Sequence, residues 1–126
     1  MTRFAKLAIV SAAFGIAALS PTVAFANSGY MTCLLHRPTT DHGGSRTYFT
    51  YPFQADSSVE DAMTAKFQAV AIDSGMLNAT DQTIGGCHWE ATKKQSFAVA
   101  KGFLAKYPGN EFDFSHAMEV ALSSGR

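Results

Sequence analysis

The chain has 126 residues, of which 47% are hydrophobic, with ten basic and ten acidic side chains. This length holds one domain with a small core, and the balanced charge argues against nucleic acid or an anionic membrane as the main partner.

The N-terminal segment has the pattern of a cleavable export signal. Two basic residues precede an apolar run over 7–19, a Ser-Pro pair ends the run, and a small-x-small cleavage site follows at 24–26. The run is shorter than the roughly 20 apolar residues that a membrane-spanning helix needs. We therefore expect cleavage after Ala26 and a periplasmic or secreted domain over 27–126, without membrane association of the mature form.

Two strands are predicted at the start of the mature chain. In a strand over 30–36, the odd-numbered and even-numbered residues lie on opposite faces, and both faces contain apolar side chains. This favours a strand that is covered on both sides. A polar, glycine-containing segment over 37–46 predicts a loop, and strand chemistry resumes over 47–53. Because Pro52 has no N–H to donate, we expect it at an edge or at the end of the second strand.

Two amphipathic helices are predicted further along the chain. The first begins with a capping-box pattern at the serines of 57–58 and ends before Gly75; the second, over 92–107, begins at a threonine cap. Each helix has one apolar stripe, which contains Phe67 in the first and Phe97 in the second. We expect both stripes to be buried against the same side of the sheet.

The segment 84–90 between the helices predicts a third strand, in which Gly85-Gly86 indicates a bulge or a close backbone approach. The segment 110–114 has the alternation of a short edge strand, and one or two helical turns follow through residue 122. The expected fold is α+β: an antiparallel sheet of three strands, or four with this edge strand, in the chain order β-β-α-β-α, packed against two helices.

The only two cysteines are Cys33, in the first strand, and Cys87, in the third. In an exported domain such a pair is expected to form one disulfide, with Cα atoms about 4.4–6.8 Å apart. Closing the long loop between them is worth roughly 4 kcal/mol in the chain-entropy model. Since neither cysteine has the Cys-x-x-Cys neighbour of a redox site, the bond is expected to be structural.

A metal site is the alternative interpretation of the same residues. Cys33, His36, Cys87 and His88 offer two sulfurs and two imidazoles, which are zinc ligands by type. The adjacent pair Cys87-His88 weakens this hypothesis, because neighbouring side chains on a strand point to opposite faces. The leading interpretation therefore includes no metal and no other cofactor.

The predicted loop over 37–46 is the candidate for hydrolytic chemistry. It brings together Asp41, His42 and Ser45, which are a carboxylate, a base and a hydroxyl. Any polar loop of this length offers similar residue types, and no nucleophile-elbow motif accompanies them. A solvated loop is the simpler interpretation.

A binding surface is suggested by the aromatic residues of the strands and the lysines of the second helix. If one sheet face is open, tyrosines on it would meet water, as they do in many recognition surfaces, although aromatic residues also enlarge a small core. The residues predicted for this surface are Tyr30, Tyr48, Trp89, Lys94 and Lys101.

Export, one disulfide, strand aromatics and the weakness of every catalytic pattern lead to one hypothesis. We expect a small non-enzymatic binding or inhibitory module for a protein, peptide or glycan of the cell envelope or exterior. A hydrolase that uses the His42 loop and a metal-binding protein are the rival hypotheses.

Overall fold

A computed structural model describes residues 28–41 and 43–124. The predicted export signal lies outside these residues. No helix in the described ranges is long and apolar enough to cross a membrane. The elements, in chain order, are β1 (Ser28–Arg37), β2 (Arg46–Phe49), β3 (Phe53–Asp56), a 3-10 helix (Ser57–Val59), α1 (Glu60–Asp73), β4 (Ile84–Glu90), α2 (Lys93–Lys106), β5 (Asn110–Asp113) and α3 (Ser115–Ser123).

The predicted α+β class is confirmed, and the sheet is mixed. β1 is central: β4 pairs antiparallel with one of its edges, and β2 and β3 pair antiparallel with successive halves of the other. β5 lies outside β2 and runs parallel to it. The sheet therefore has one more strand than the four predicted, because the second strand ends at Phe49 and a further strand, β3, begins at the last residue of the predicted segment. A third helix, α3, follows β5.

The two faces of the sheet are covered by different helices. Leu35 of β1 belongs to the main core together with Phe67 of α1 and Met118 of α3. The next residue, His36, instead places its ring 5.3 Å from that of Tyr107, at the end of α2. Because neighbouring strand residues point to opposite faces, α1 and α3 pack on one face and α2 on the other. The prediction that both helices lie on the same side is wrong.

The direction of the connections explains this arrangement. β3 and β4 both run antiparallel to β1, and α1 carries the chain from one side of β1 to the other. α2 then carries it back across β1 to β5, which runs parallel to β2. Crossovers between parallel strands share one hand almost without exception. Two such crossovers in opposite directions therefore place their helices on opposite faces.

The predicted disulfide is confirmed: Cys33 and Cys87 lie opposite each other on β1 and β4, with their sulfurs 2.02 Å apart. Their Cα atoms are 3.9 Å apart, closer than predicted. The amide of Cys33 donates to Thr50 Oγ1 and that of Cys87 to Thr64 Oγ1. The two cysteines thus form a pair without hydrogen bonds to each other, and such pairs are the closer type in antiparallel sheets.

α1 also covers the outer edge of β4. The outward amide of Cys87 donates to Thr64 Oγ1 at 2.8 Å, and that of Trp89 donates to Glu60 Oε2 at 2.7 Å. Unpaired amides on an edge strand are templates for pairing with another chain. Side chains of α1 therefore close this edge of the sheet.

The helix starts are partly as predicted. The Thr92–Gln95 capping box of α2 is present. The predicted box at the first helix is not formed: α1 begins after Val59 without a side-chain cap, and the Glu60 carboxylate accepts the Trp89 amide. Asp56 caps this region by accepting a hydrogen bond from Ser58 N at 2.9 Å. Hydrogen bonds from the Ser58 backbone and side chain lower the pKa of the Asp56 carboxyl.

Candidate functional site

Strand structure is interrupted over residues 50–52, between β2 and β3. From Leu34 to Met31 the partner positions run from Phe49 to Phe53, so one additional residue lies opposite β1. Thr50 holds this bulge: its amide donates to the Cys33 carbonyl, and its hydroxyl accepts from the Cys33 amide. A bulge re-aims the side chains that follow it.

Beyond this bulge an aromatic ridge is formed by Phe49, Tyr51 and Phe97. The Tyr51 ring lies 5.6 Å from that of Phe49 and 6.3 Å from that of Phe97, between ring centroids. Tyr51 is 54% exposed and Phe97 is 44% exposed. The three rings pack on one another, and those of Tyr51 and Phe97 belong to residues that are largely open to water.

A cleft of about 750 Å³ lies between the strand break and α3, and we call it the α3 cleft. Its apolar lining comes mainly from Pro52, Phe53, Met118 and Leu122. Tyr51 also lines it. This volume lies within the range of sites that hold small molecules or peptide side chains.

Apart from Tyr51, the ionisable residues in the described ranges that line the α3 cleft are two carboxylates and one histidine. Asp113 and Glu119 contribute carboxylates, and no lysine or arginine of the described chain lines the cleft. Glu119 Oε1 lies 3.9 Å from His116 Nδ1, and both side chains are largely exposed. Asp113 Oδ1 accepts the Ser115 amide at 2.8 Å. An apolar cleft with an acidic rim favours a ligand that is both apolar and basic.

A second cleft, of about 450 Å³, lies beside α2 and shares Thr50, Tyr51 and Pro52 with the first. Phe97, Lys101 and Glu111 line this α2 cleft, and Tyr51 lines both clefts. The Tyr51 ring is therefore positioned to contact a ligand in either cleft.

The predicted binding surface is only partly at the surface. Tyr48 is completely buried, and its hydroxyl donates to the Met76 carbonyl at 2.6 Å, so its prediction as a surface residue is wrong. Tyr30 and Trp89 are half-buried, and the Trp89 indole donates to Ala55 O.

Lys94 and Lys101 are exposed on α2, and Lys101 lines the α2 cleft. The exposed aromatic residues are instead Tyr51 and Phe97, and burial of Phe97 was wrongly predicted. The proline directly after Tyr51 is the sequence signal that could have indicated its exposure, because proline interrupts a strand.

The four residues of the zinc hypothesis do not form a ligand set. Cys33 and Cys87 are bonded to each other, so neither sulfur is available as a thiolate. His36 points to the opposite face from Cys33 and bonds Thr47, while His88 is exposed. No group of three potential metal ligands occurs within 28–41 and 43–124.

Paired hydrogen bonds between Thr40 and Gly43 close the tip of the loop between β1 and β2. Asp41 is exposed, and Ser45 Oγ donates to the Pro108 carbonyl at 3.1 Å. His42 lies outside the described residues, so the hydrolase hypothesis stays a prediction.

Two arginines face each other at the end of the β1–β2 pair. Arg37 is only 7% exposed, bonds the Gly44 carbonyl, and has a buried Nε without a hydrogen-bond partner. Arg46 donates to the Met76 carbonyl at 2.8 Å. Both bond backbone carbonyls, which indicates that they hold the adjoining loops in place.

Comparison with known proteins gives no relative from which a function could be transferred: no protein family, curated protein or solved structure matches the chain. The geometry of the clefts is therefore the basis for a functional hypothesis.

Proposed function

We propose that the protein is a small exported binding or inhibitory module without catalytic activity, and that it binds its partner at the α3 cleft and the aromatic ridge. The observation that carries this proposal is the position of Tyr51. Tyr51 is 54% exposed and lines both clefts. Exposed aromatic rings beside apolar clefts are typical anchors of protein interfaces.

Export is supported by the N-terminal pattern and agrees with the disulfide, since such bonds persist in oxidising compartments. The mature protein would then meet its partner in the periplasm or outside the cell. Fractionation of cells that express the full chain, with mass spectrometry of the exported product, tests this part. An N-terminus at Asn27 is expected, and an intact Met1 on the exported protein would contradict it.

Site-specific photo-crosslinking tests the binding surface. A photoreactive phenylalanine analogue replaces Tyr51 in one variant and Ile84, which is 43% exposed on β4, in a matched control. We expect a discrete crosslinked partner in envelope extract from position 51, and its loss when excess unlabelled protein competes. Equal crosslinking from both positions would show that the α3 cleft and the ridge are not the binding surface.

A further inference from the structure

The open edge of β3 suggests what the α3 cleft binds, an inference that rests on the proposed binding function. β5 pairs with β2 as far as Phe49 opposite Asp113. Beyond it the Phe114 amide donates to the Phe49 carbonyl, and the Tyr51 amide donates to Ser115 Oγ at 2.8 Å. The chain then leaves the sheet as α3, so the sheet edge past Tyr51 has lost its neighbouring strand.

After Tyr51, Gln54 is the next residue whose backbone N–H and C=O point to this open edge. The amide and the carbonyl of Cys33 both bond Thr50, so the backbone of Cys33 points toward the β2–β3 side of β1. Every second residue of β1, Met31 among them, directs its N–H and C=O to that same side. Their partners in β3 are therefore the bonded positions, and Gln54 lies between them. Its N–H and C=O consequently point outward, where no strand of the described chain pairs with β3.

This edge lies in the α3 cleft, because Gln54 is one of its lining residues. A peptide in extended conformation could follow the line of β5 and bond the Gln54 backbone, as in known cases of strand addition. Alternate side chains of an added strand point to opposite sides, so one set would reach the apolar lining near Phe53 and Met118.

The charge of the rim selects among extended peptides. Asp113 and Glu119 lie at the cleft, whereas the described lining contains no lysine or arginine. Basic side chains next to the apolar ones would therefore be attracted, and acidic ones repelled. A neutral glycan has no positive charge to pair with these carboxylates, and it would leave the outward backbone groups of Gln54 without a strand partner.

We propose that the α3 cleft binds an extended peptide segment that carries alternating apolar and basic residues, and that this segment adds as a strand to the outer edge of β3. The main-chain bonds to Gln54 give the orientation, the apolar lining takes one row of side chains, and the acidic rim selects for positive charge.

The test uses three short synthetic peptides with the purified mature protein. The first alternates lysine and valine, the second alternates glutamate and valine, and the third is the lysine peptide with every backbone nitrogen methylated, so that neither of its edges can donate to β3. We expect binding of the first, with NMR shifts at the amide of Gln54, and at least about tenfold weaker binding of the other two. Equal binding of the methylated peptide would overturn strand addition, and equal binding of the glutamate peptide would overturn the charge selection.

Variants of Gln54 provide the matched comparison on the protein. Gln54→Pro removes the outward N–H at an exposed edge position, where proline is tolerated, and Gln54→Ala keeps it. About tenfold weaker binding is expected for the proline variant and little change for the alanine variant. The methylated peptide gives the same information on the unmodified protein if Gln54→Pro does not fold.

The outcomes separate this inference from the proposed function. If no lysine peptide binds while crosslinking from position 51 persists, the peptide inference is wrong and the binding function stands. If neither is observed, both are wrong.

Discussion

His36 and Thr47 face each other across β1 and β2, with Nδ1 of the imidazole 2.9 Å from the hydroxyl oxygen. The hydroxyl donates its single hydrogen to the Tyr107 carbonyl at 3.0 Å. It can therefore only accept from His36, which indicates that the neutral ring carries its proton on Nδ1. The Thr47 hydroxyl thus joins the sheet to the end of α2, and burial of the imidazole favours its neutral form.

Acid should destabilise the protein through His36. Burial lowers the pKa of this imidazole below its ordinary value of 6.5. As the pH falls the unfolded chain takes up the proton first, so the contribution to stability is complete above about pH 6.5 and decreases from there toward the folded pKa. Urea unfolding across this interval should show the decrease.

His36→Gln should flatten this pH dependence, whereas His116→Gln, at a largely exposed position, should keep it. Identical slopes for the wild type and His36→Gln would contradict the assignment. Titration of Asp56 does not contribute to the pH dependence in this interval, because its pKa is lowered from 3.8 and it takes up a proton only in stronger acid.

Thr64 should be essential for the edge of β4. Its hydroxyl accepts from the Cys87 amide and donates to the Glu60 carbonyl. Thr64→Val keeps the shape and leaves that amide without its partner, which should cost about 1–3 kcal/mol of unfolding free energy. Thr64→Ser restores the hydroxyl and should recover most of the loss. Equal stability of the two variants, with equal amide exchange at Cys87, would show that the bond contributes nothing.

Phe67 and Phe97 should respond differently to truncation. Phe67 is completely buried in the main core, and Phe67→Ala should cost roughly 3–5 kcal/mol. Phe97 is 44% exposed, so Phe97→Ala should cost less than about 1 kcal/mol and act mainly on partner binding. Chemical denaturation measures both losses, and equal losses would mean that the exposure of the ridge is misassigned.

Arg37 should be replaceable by an apolar side chain. Its guanidinium is buried with an unpaired Nε, and no carboxylate within the described residues forms an ion pair with it. Replacing a poorly paired buried charge by a hydrophobic residue of similar length is often neutral or stabilising. Arg37→Met should therefore leave the melting temperature unchanged or higher, while Arg37→Ala should lower it through lost packing. A large loss in Arg37→Met would show that the bond to Gly44 is essential.

Local patterns were sufficient to predict most elements, but not the faces they cover. Alternation and capping residues depend on near neighbours, and they located the central strand and both crossover helices. Which face a helix covers depends on the direction of its crossover, which no single segment encodes. For the same reason Tyr48 was expected at an open face, whereas both faces are covered and Tyr48 is buried.

The glycines show the same limit. A bulge or close approach was predicted at Gly85-Gly86, and Gly85 has a φ of 118°, with the position of a Cβ only 2.3 Å from the Leu34 carbonyl oxygen. Gly29 gave no such signal in the sequence. A Cβ there would lie 2.6 Å from the Trp89 ring, a contact between residues that are distant in sequence. Sites that are formed by contacts between distant residues, including both clefts, could not be predicted from local sequence patterns.

The disulfide should contribute to stability and not to binding. It joins residues 54 positions apart, is almost completely buried, and lies outside both cleft linings. Replacing Cys33 and Cys87 together by alanine should cost roughly 4 kcal/mol, mainly by releasing the unfolded chain, and should lower the melting temperature by on the order of 20 °C. Trp89, two residues after Cys87, should report unfolding through its fluorescence. At temperatures where the variant is still folded, crosslinking from position 51 should equal that of the wild type. Loss of crosslinking from a variant that circular dichroism shows to be folded would contradict a purely structural bond, and an unchanged melting temperature would contradict its stabilising role.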